Sequence, residues 1–219
     1  FVFNLLINPF QVAVALGLAL LVFRPAPGVT FFRAAFFAPM CVSLPIVAIL
    51  WNIMLDPQLG PVNGLLRALG LTAQTFFRSE DQALLTMIGI ASWKGCGSWM
   101  MFLLAGLYAI PEELHEAARI DGATGFQRFR FVTLPLLRRP ILFVLIADTA
   151  INFLFFAPVY IITNGGPNGA TELLMFQAYQ SAFAYLNHGR ALAISTIILV
   201  IIALVATVEL RVVGRDVRA

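Results

Sequence analysis

Residues 116–135 read EAARIDGATGFQRFRFVTLP, a charged stretch that separates two long apolar runs. The 219 residues are 60% hydrophobic and 11% charged. Soluble domains have about 45–50% apolar and about 25% charged residues. The apolar runs exceed the roughly 18 to 20 residues that cross a hydrocarbon core of about 30 Å. The sequence therefore predicts an all-α integral membrane protein with a polar insertion.

Five membrane-spanning helices are predicted, packed as a single domain over residues 1–219. They cover about residues 2–23, 34–54, 83–109, 140–163 and 191–213. One side of this arrangement carries Arg24, Arg33, Arg119, Arg128, Arg130, Arg138, Arg139, Arg211, Arg215 and Arg218, and the other carries Arg67, Arg78 and Arg190. Positively charged connectors remain in the cytoplasm, so the first group is predicted to be cytoplasmic. The C-terminus is then inside and Phe1 outside, and we expect a further span upstream of Phe1.

Few residues suggest catalytic or metal chemistry. Cys41 and Cys96 lie inside apolar runs and are predicted to be buried and unpaired. His115 and His188 have no second ligand at metal spacing, so no metal site is predicted. Both histidines fall in connectors while Ser98 lies in a span, which disfavours an intramembrane protease. No phosphate-binding loop sequence is present, so the chain is not predicted to be an enzyme or to hold ATP itself. A nucleic-acid partner is not indicated.

The insertion, residues 111–139, is predicted to form two short helices. The first begins at Pro111, because proline suits the first helical position. Its residues at i, i+3, i+4 and i+7 form a narrow face of mostly small side chains, namely Leu114, Ala117, Ala118 and Asp121. Gly122 is placed to end this helix, and Thr124 with Gln127 has the spacing of a capping box for the second. From these residues, a two-helix loop that binds a partner protein and an ordinary interfacial helix remain equal alternatives.

The motif within the insertion resembles a known family. Glu116-Ala117-Ala118, three residues, Gly122, nine residues and Val132-x-Leu134-Pro135 is similar to the cytoplasmic EAA loop of permease subunits of bacterial ABC importers, with valine in place of isoleucine. Residues 105–107, 110–114 and 120–123 are similar to the subfamily that imports sugars and glycerol-3-phosphate. Residues 163–167 and 171–172 resemble the first-subunit type of maltose permease.

The resemblance implies a type I ABC importer permease fold in a bacterial inner membrane. The insertion would be a coupling loop that fits a groove on a separate nucleotide-binding subunit, and that subunit would bind ATP and magnesium. The residues implied in this contact are Glu116, Ala117, Ala118, Arg119, Asp121, Gly122, Leu134 and Pro135. The other implied partners are a second homologous permease subunit, forming a heterodimer, an extracytoplasmic solute-binding protein, and lipid.

Polar and aromatic residues inside the predicted spans are candidates for the translocation pathway: Trp93, Lys94, Ser98, Asp148, Asn152 and Tyr160, with Trp99 as a further aromatic. A lone charge at the bilayer centre costs about 2.5 to 3.5 kcal/mol, so Lys94 and Asp148 should face protein or water. They can pair with each other or line the pathway, or Lys94 can extend to the interface. For the others, helix packing or interfacial anchoring is the favoured interpretation.

Two further features bear on function. Pro45 and Pro158 are predicted to break their helices where a solute passes. Residues 164–169, NGGPNG, predict a tight outer turn that either ends a span or forms a gate or docking loop. Buried Lys94 and Asp148 would also suit an ion-coupled secondary transporter or channel, which is the alternative function.

Overall fold

All regular secondary structure in residues 1–214 is helical; these are the residues that this computed structural model describes, with side chains through Arg211. The helices are α1 (Val2–Phe23), α2 (Val29–Cys41), α3 (Leu44–Met54), α4 (Pro61–Ala68), α5 (Glu80–Tyr108), α6 (Glu112–Ile120), α7 (Gly125–Arg128), α8 (Leu134–Leu136), α9 (Arg138–Phe153), α10 (Leu174–Tyr179) and α11 (His188–Gly214). Short 3-10 or π-helical turns cover Phe76–Arg78, Phe129–Thr133, Val159–Thr163 and Gln180–Ala184. The predicted all-α fold is confirmed. Arg215 and Arg218 lie outside the described residues.

The predicted spans correspond unequally to these helices. Within the described residues, α1 and the His188–Arg211 part of α11 are each long and apolar enough to cross a membrane. α5 has 29 residues, but Lys94 and the small residues around it lower its mean hydropathy. α9 has only 16 residues and ends at Phe153, so the predicted fourth span is interrupted before the helical turn at Val159–Thr163. The break ahead of that turn agrees with the prediction for Pro158.

The second predicted span, 34–54, is wrong as one continuous helix. It consists of α2, which already begins at Val29, and α3, and the chain turns through 100° between them. Pro45 has no amide hydrogen to donate to the Cys41 carbonyl, and its ring would collide with that carbonyl in a continuous helix. The predicted break at Pro45 is therefore confirmed. We call the turn at Val42 and Ser43 the elbow.

Two buried apolar clusters fill the bundle. The outer cluster includes Phe3, Ile7, Val47, Met87, Ile90, Phe155, Val159 and Phe176, and the inner cluster includes Val12, Val22, Trp99, Met100, Leu103, Leu107, Leu137 and Val144. Buried polar residues separate the clusters along α1, α5 and α9: Asn8, Gln11, Ser92, Asp148, Thr149 and Asn152. We call these residues the polar layer. The middle of the bundle is therefore polar and joined in part by hydrogen bonds, while both ends are packed by apolar side chains.

A glycine determines how closely α2 approaches α5. A Cβ atom built at Gly97 would lie 1.9 Å from the backbone oxygen of Phe36 in α2. Only a residue without a side chain fits there, as is common where membrane helices pack closely. α2 has no buried residue of its own, so this contact is important for fixing its position.

Candidate functional site

The helix α6 extends from the end of the bundle that holds the inner cluster, and none of its residues is buried. It begins at Glu112, one residue later than predicted, because Pro111 is the residue that precedes the first turn. Glu112 and Glu113 lie in the first turn and Arg119 in the last, where each charge interacts favourably with the helix dipole. This helix is thus stabilised locally, and its surface is free for a partner, with Ile120 as much as 86% exposed.

Gly122 ends α6 as predicted. Its φ of 78° is left-handed, its amide donates to the Arg119 carbonyl at 3.1 Å, and the Ala123 amide donates to the Ala118 carbonyl at 2.9 Å. This pair of bonds is the Schellman motif, which satisfies carbonyls at a helix end. A Cβ at Gly122 would meet no atom within 4 Å. The glycine is therefore required here for its backbone conformation and not for space.

The capping box that opens the second half of the loop is also confirmed. The Thr124 amide donates to Gln127 Oε1 at 2.7 Å, and the Gln127 amide donates to Thr124 Oγ1 at 3.3 Å. The chain then continues through α7, a π-helical turn and α8 into α9. Pro135 and Pro140 lie in the first turns of α8 and α9, where the missing amide hydrogen of proline is not needed.

The eight predicted coupling residues fall into two groups. Glu116, Ala117, Arg119, Asp121 and Gly122 are exposed, and Ala118, Leu134 and Pro135 are partly buried. The segment that carries the last two is anchored by its neighbours. Leu137 is fully buried in the inner cluster, and Thr133 is also buried. An exposed helix is thus joined by a short turn to a segment fixed in the bundle. This arrangement is suited to transmitting a movement of α6 to the bundle.

The polar layer contains a directional series of hydrogen bonds. Asn152 Nδ2 donates to Asn8 Oδ1 at 2.9 Å, and Asn8 Nδ2 donates to Thr149 Oγ1 at 2.7 Å. Thr149 Oγ1 then donates to Glu209 Oε1 at 3.0 Å. The series joins α1, α9 and α11. Asn8 and Glu209 were missed from the sequence, although each is a polar residue within a predicted span.

Asp148 belongs to the same layer and is 1% exposed. Its Oδ1 accepts a hydrogen bond of 2.7 Å from Trp99 Nε1, which ties α9 to α5. Its Oδ2 is buried and has no hydrogen-bond partner. The hypothesis that Asp148 pairs with Lys94 is wrong, because the Lys94 ammonium donates instead to backbone carbonyls of Pro39, Met40 and Val42.

The remaining pathway candidates do not converge on one site. Trp93 meets Trp51 edge to face, with ring centroids 5.5 Å apart, and lines a cavity of about 500 Å³. The hydroxyl of partly buried Ser98 has no partner. Tyr160 is exposed and contacts the rings of Phe156 and Tyr179. Of the six candidates, the structure brings only Asp148 and Asn152 together. Both cysteines are free, Cys96 buried as predicted and Cys41 exposed, contrary to the prediction.

The predicted outer turn forms one wall of a polar cleft. Gly165 packs on Phe176, whose ring would be 2.7 Å from a Cβ at that position. The cleft, about 490 Å³, is lined by Gly166 and Pro167 on one side and by Asp56 and Arg78 on the other. Amides of Leu59 and Gln58, each 2.9 Å from Asp56 Oδ1, together with the nearby Arg78 guanidinium, lower the pKa of Asp56 below its usual range.

Comparison with known proteins relates this geometry to one family. Residues 10–218 match the family described as "Binding-protein-dependent transport system inner membrane component". The chain is 34% identical over 217 residues to the sn-glycerol-3-phosphate transport system permease protein UgpA of Agrobacterium fabrum, covering 99% of this chain and 74% of that protein. It is also 34% identical over 194 residues to the trehalose/maltose transport system permease protein MalF of Thermococcus litoralis, covering 87% and 65%.

A solved structure has the same fold. A chain in the crystal structure of a bacterial alginate ABC transporter, in complex with an alginate pentasaccharide-bound periplasmic protein, superposes with a TM-score of 0.88. The match covers 98% of this chain and 75% of that chain at 21% sequence identity. The chain therefore shares its fold with a chain of an ABC transporter.

Proposed function

The chain belongs to the family of inner-membrane components of binding-protein-dependent transport systems, and we propose that it forms half of the path by which a sugar or glycerol-3-phosphate-like solute is imported. It is a multi-pass, non-catalytic transport subunit. We infer the substrate class from similar permeases, which are named for sn-glycerol-3-phosphate, for trehalose or maltose, and for arabinooligosaccharides. Membership of this family argues against the ion-coupled transporter or channel.

The coupling loop binds a separate ATPase subunit, which holds ATP and magnesium. The observation that carries this proposal is that α6 has no buried residue and connects directly, through Gly122 and the capping box, to a segment anchored in the inner cluster. Glu116 and its exposed neighbours Ala117, Arg119 and Asp121 make the contact, and Leu134 and Pro135 transmit the movement. Closure of two ATPase subunits then moves the bundle and alternates access to the path.

Two other surfaces have proposed partners. A second homologous permease subunit and lipid cover the apolar surfaces of α2 and α11, which carry exposed Phe31, Phe37, Leu199 and Leu204. A solute-binding protein docks at the outer end, where the polar cleft and the turn at residues 164–169 lie. The C-terminus is cytoplasmic, as the distribution of arginines favours.

The coupling proposal is tested by purification of the assembled transporter in detergent. We expect an ATPase subunit to co-purify with the wild-type chain and to be lost with Glu116→Lys or Gly122→Pro. Asp81→Lys, a charge reversal at the opposite end of the bundle, is the matched control and should retain the ATPase. Retention of the ATPase by both loop variants would contradict the proposal. So would uptake driven by a proton or sodium gradient in proteoliposomes that contain no ATPase.

A further inference from the structure

Lys94 is the only lysine of the sequence, and its side chain reaches the elbow between α2 and α3. The ammonium nitrogen lies 2.6 Å from the Val42 oxygen, 3.2 Å from the Pro39 oxygen and 3.3 Å from the Met40 oxygen. An ammonium group has three N–H donors, so these three acceptors use all of them. Lys94 thus connects the middle of α5 with the end of α2.

The Pro39 carbonyl also accepts from the Val42 amide at 3.4 Å, so the carbonyls that depend most on Lys94 are those of Met40 and Val42 at the end of α2. The last carbonyls of a helix have no partner within it, and they form the negative end of its dipole. α3 cannot supply the missing bonds, because the chain leaves Val42 in an extended conformation and turns through 100°. Met40 and Val42 are exposed at the surface of the chain, where lipid would offer these carbonyls no donor. A cation at this point therefore offsets both the unpaired carbonyls and the dipole.

The elbow separates two helices that are held by different parts of the bundle. α3 contributes Val47 to the outer cluster and is followed directly by Leu55 of the same cluster, whereas α2 buries no residue and lies against α5 at Gly97. Trp93 lines a cavity on each side of the elbow, one of about 500 Å³ shared with Trp51 of α3, and one of about 380 Å³ shared with Phe36 of α2. The angle at the elbow therefore determines the width of both cavities.

We propose that Lys94 is a positioning residue that fixes the angle of the α2–α3 elbow during the transport cycle. It acts through the backbone carbonyls and leaves no N–H free for a solute, so it is not a solute-binding group. Release of the elbow would change the two cavities beside Trp93 and uncouple them from movement at the coupling loop. This inference rests on the proposed transport function only for its kinetic consequence, because the elbow geometry can be measured directly.

The geometric test uses one nitroxide label on each helix, at the end farther from the elbow, in the purified assembled transporter. Phe31 in α2 and Ile53 in α3 are 71% and 64% exposed and are replaced by cysteine in a Cys41→Ser, Cys96→Ala background. Pulsed electron–electron double resonance should give one narrow distance distribution for the chain with wild-type Lys94 and for Lys94→Arg, which keeps cationic donors. Lys94→Met has similar length but no donors, and should broaden or shift the distribution.

The functional test measures ATP hydrolysis stimulated by solute-loaded binding protein in proteoliposomes. Lys94→Met should lower this stimulation by about fivefold or more, the size of a typical coupling between sites, while the unstimulated rate remains unchanged. Lys94→Arg should restore the stimulation. If Lys94→Met lowers the yield of complex, Lys94→Gln replaces it, because its neutral amide keeps two donors and should give an intermediate distance distribution.

The outcomes separate the two proposals. A Lys94→Met distance distribution and stimulation equal to wild type would overturn the role of Lys94. Failure of Lys94→Arg to restore either quantity would also overturn it, because any cationic donor should hold the elbow. Absence of stimulated hydrolysis in the wild-type transporter would instead count against the proposed function, and the distance measurement would still decide the elbow.

Discussion

At the scale of single residues, the charged and polar groups inside the bundle hold helices together. Lys94 and Asp148 each bind a partner on another helix, a backbone carbonyl set for one and an indole N–H for the other. An unsatisfied polar group in an apolar medium costs several kcal/mol, so the buried bond between Asp148 and Trp99 gains importance from the absence of water. The consequence is a bundle whose middle depends on a few specific donors and acceptors.

Asp148 offers a direct test of this dependence. Asp148→Leu removes the acceptor of the Trp99 N–H and should lower the free energy of unfolding by about 1 to 3 kcal/mol, because a buried donor is left unpaired. Asp148→Asn keeps an oxygen at the same place as an acceptor for the Trp99 N–H, so it should be about as stable as wild type. Unfolding in detergent measures both, and a Leu variant equal to wild type would show that the Trp99 bond contributes nothing.

The lowered pKa of Asp56 predicts how the connector between α3 and α4 responds to acid. The amides of Leu59 and Gln58 are the first cause of the lowered pKa of Asp56 in the folded chain. Ionised Asp56 therefore stabilises the folded chain fully at any pH above the unfolded carboxyl pKa of about 3.9. This stabilisation disappears as the pH falls through the lowered pKa. Hydrogen exchange of these two amides should therefore remain protected at pH 5 and lose protection only under stronger acid. Asp56→Ala should be unprotected at every pH. Loss of wild-type protection between pH 7 and pH 5 would contradict this assignment.

At the scale of elements, close contact between helices depends on where side chains are missing. Gly97→Ala should displace α2, because the added carbon would lie 1.9 Å from the Phe36 oxygen, which is a backbone atom that cannot rotate away. Overpacking of this kind costs about 1 to 3 kcal/mol. Gly89→Ala, on the same helix, is the matched control, because a Cβ there meets no atom within 4 Å and alanine favours the helix by about 0.5 to 1 kcal/mol.

Thermal unfolding of the two variants should therefore move in opposite directions, downward for Gly97→Ala and slightly upward for Gly89→Ala. Equal destabilisation by both would indicate that α5 simply does not tolerate added side chains. Equal stability would indicate that α2 is free to move away from α5 without loss.

Features that depend on neighbouring residues could be predicted from the sequence, and those that depend on distant ones could not. The stop at Gly122 and the capping box at Thr124 are formed within a few residues, so their spacing was sufficient. Lys94 was recognised as a buried charge, but its acceptors are main-chain oxygens more than 50 residues away, which have no sequence signature. The same limit applies to Asn8, whose partner Thr149 is separated from it by 141 positions.

Proline shows why an element boundary can be predicted while its geometry cannot. Pro45 excludes a continuous helix for steric reasons, so a break was expected. The size of the turn depends on how α3 packs into the outer cluster and on how Lys94 holds the end of α2. Neither contact is local. The five-span division therefore remains a prediction, while the elbow became evident only in three dimensions.

At the scale of the whole molecule, the polar layer divides the bundle into two differently packed ends. Within a close-packed apolar core, movement requires many side chains to repack together. At the polar layer, a small shift requires only the exchange of a few hydrogen-bond partners. A transport subunit must open at alternate ends, and a bundle with two apolar clusters joined by hydrogen bonds can move one end while the other keeps its packing.

Double-mutant cycles can establish whether the two clusters are energetically separate. Met87 in the outer cluster and Leu103 in the inner cluster are both fully buried, and truncation of each to alanine should cost about 2 to 5 kcal/mol through lost contacts and an unfilled cavity. Across the polar layer these costs should add to within about 0.5 kcal/mol. Met100→Ala with Leu103→Ala is the matched pair inside one cluster, where the interaction energy should exceed that value. Free energies of unfolding in detergent provide both cycles, and a cross-layer interaction energy as large as that of the matched pair would mean that the bundle has one continuous core.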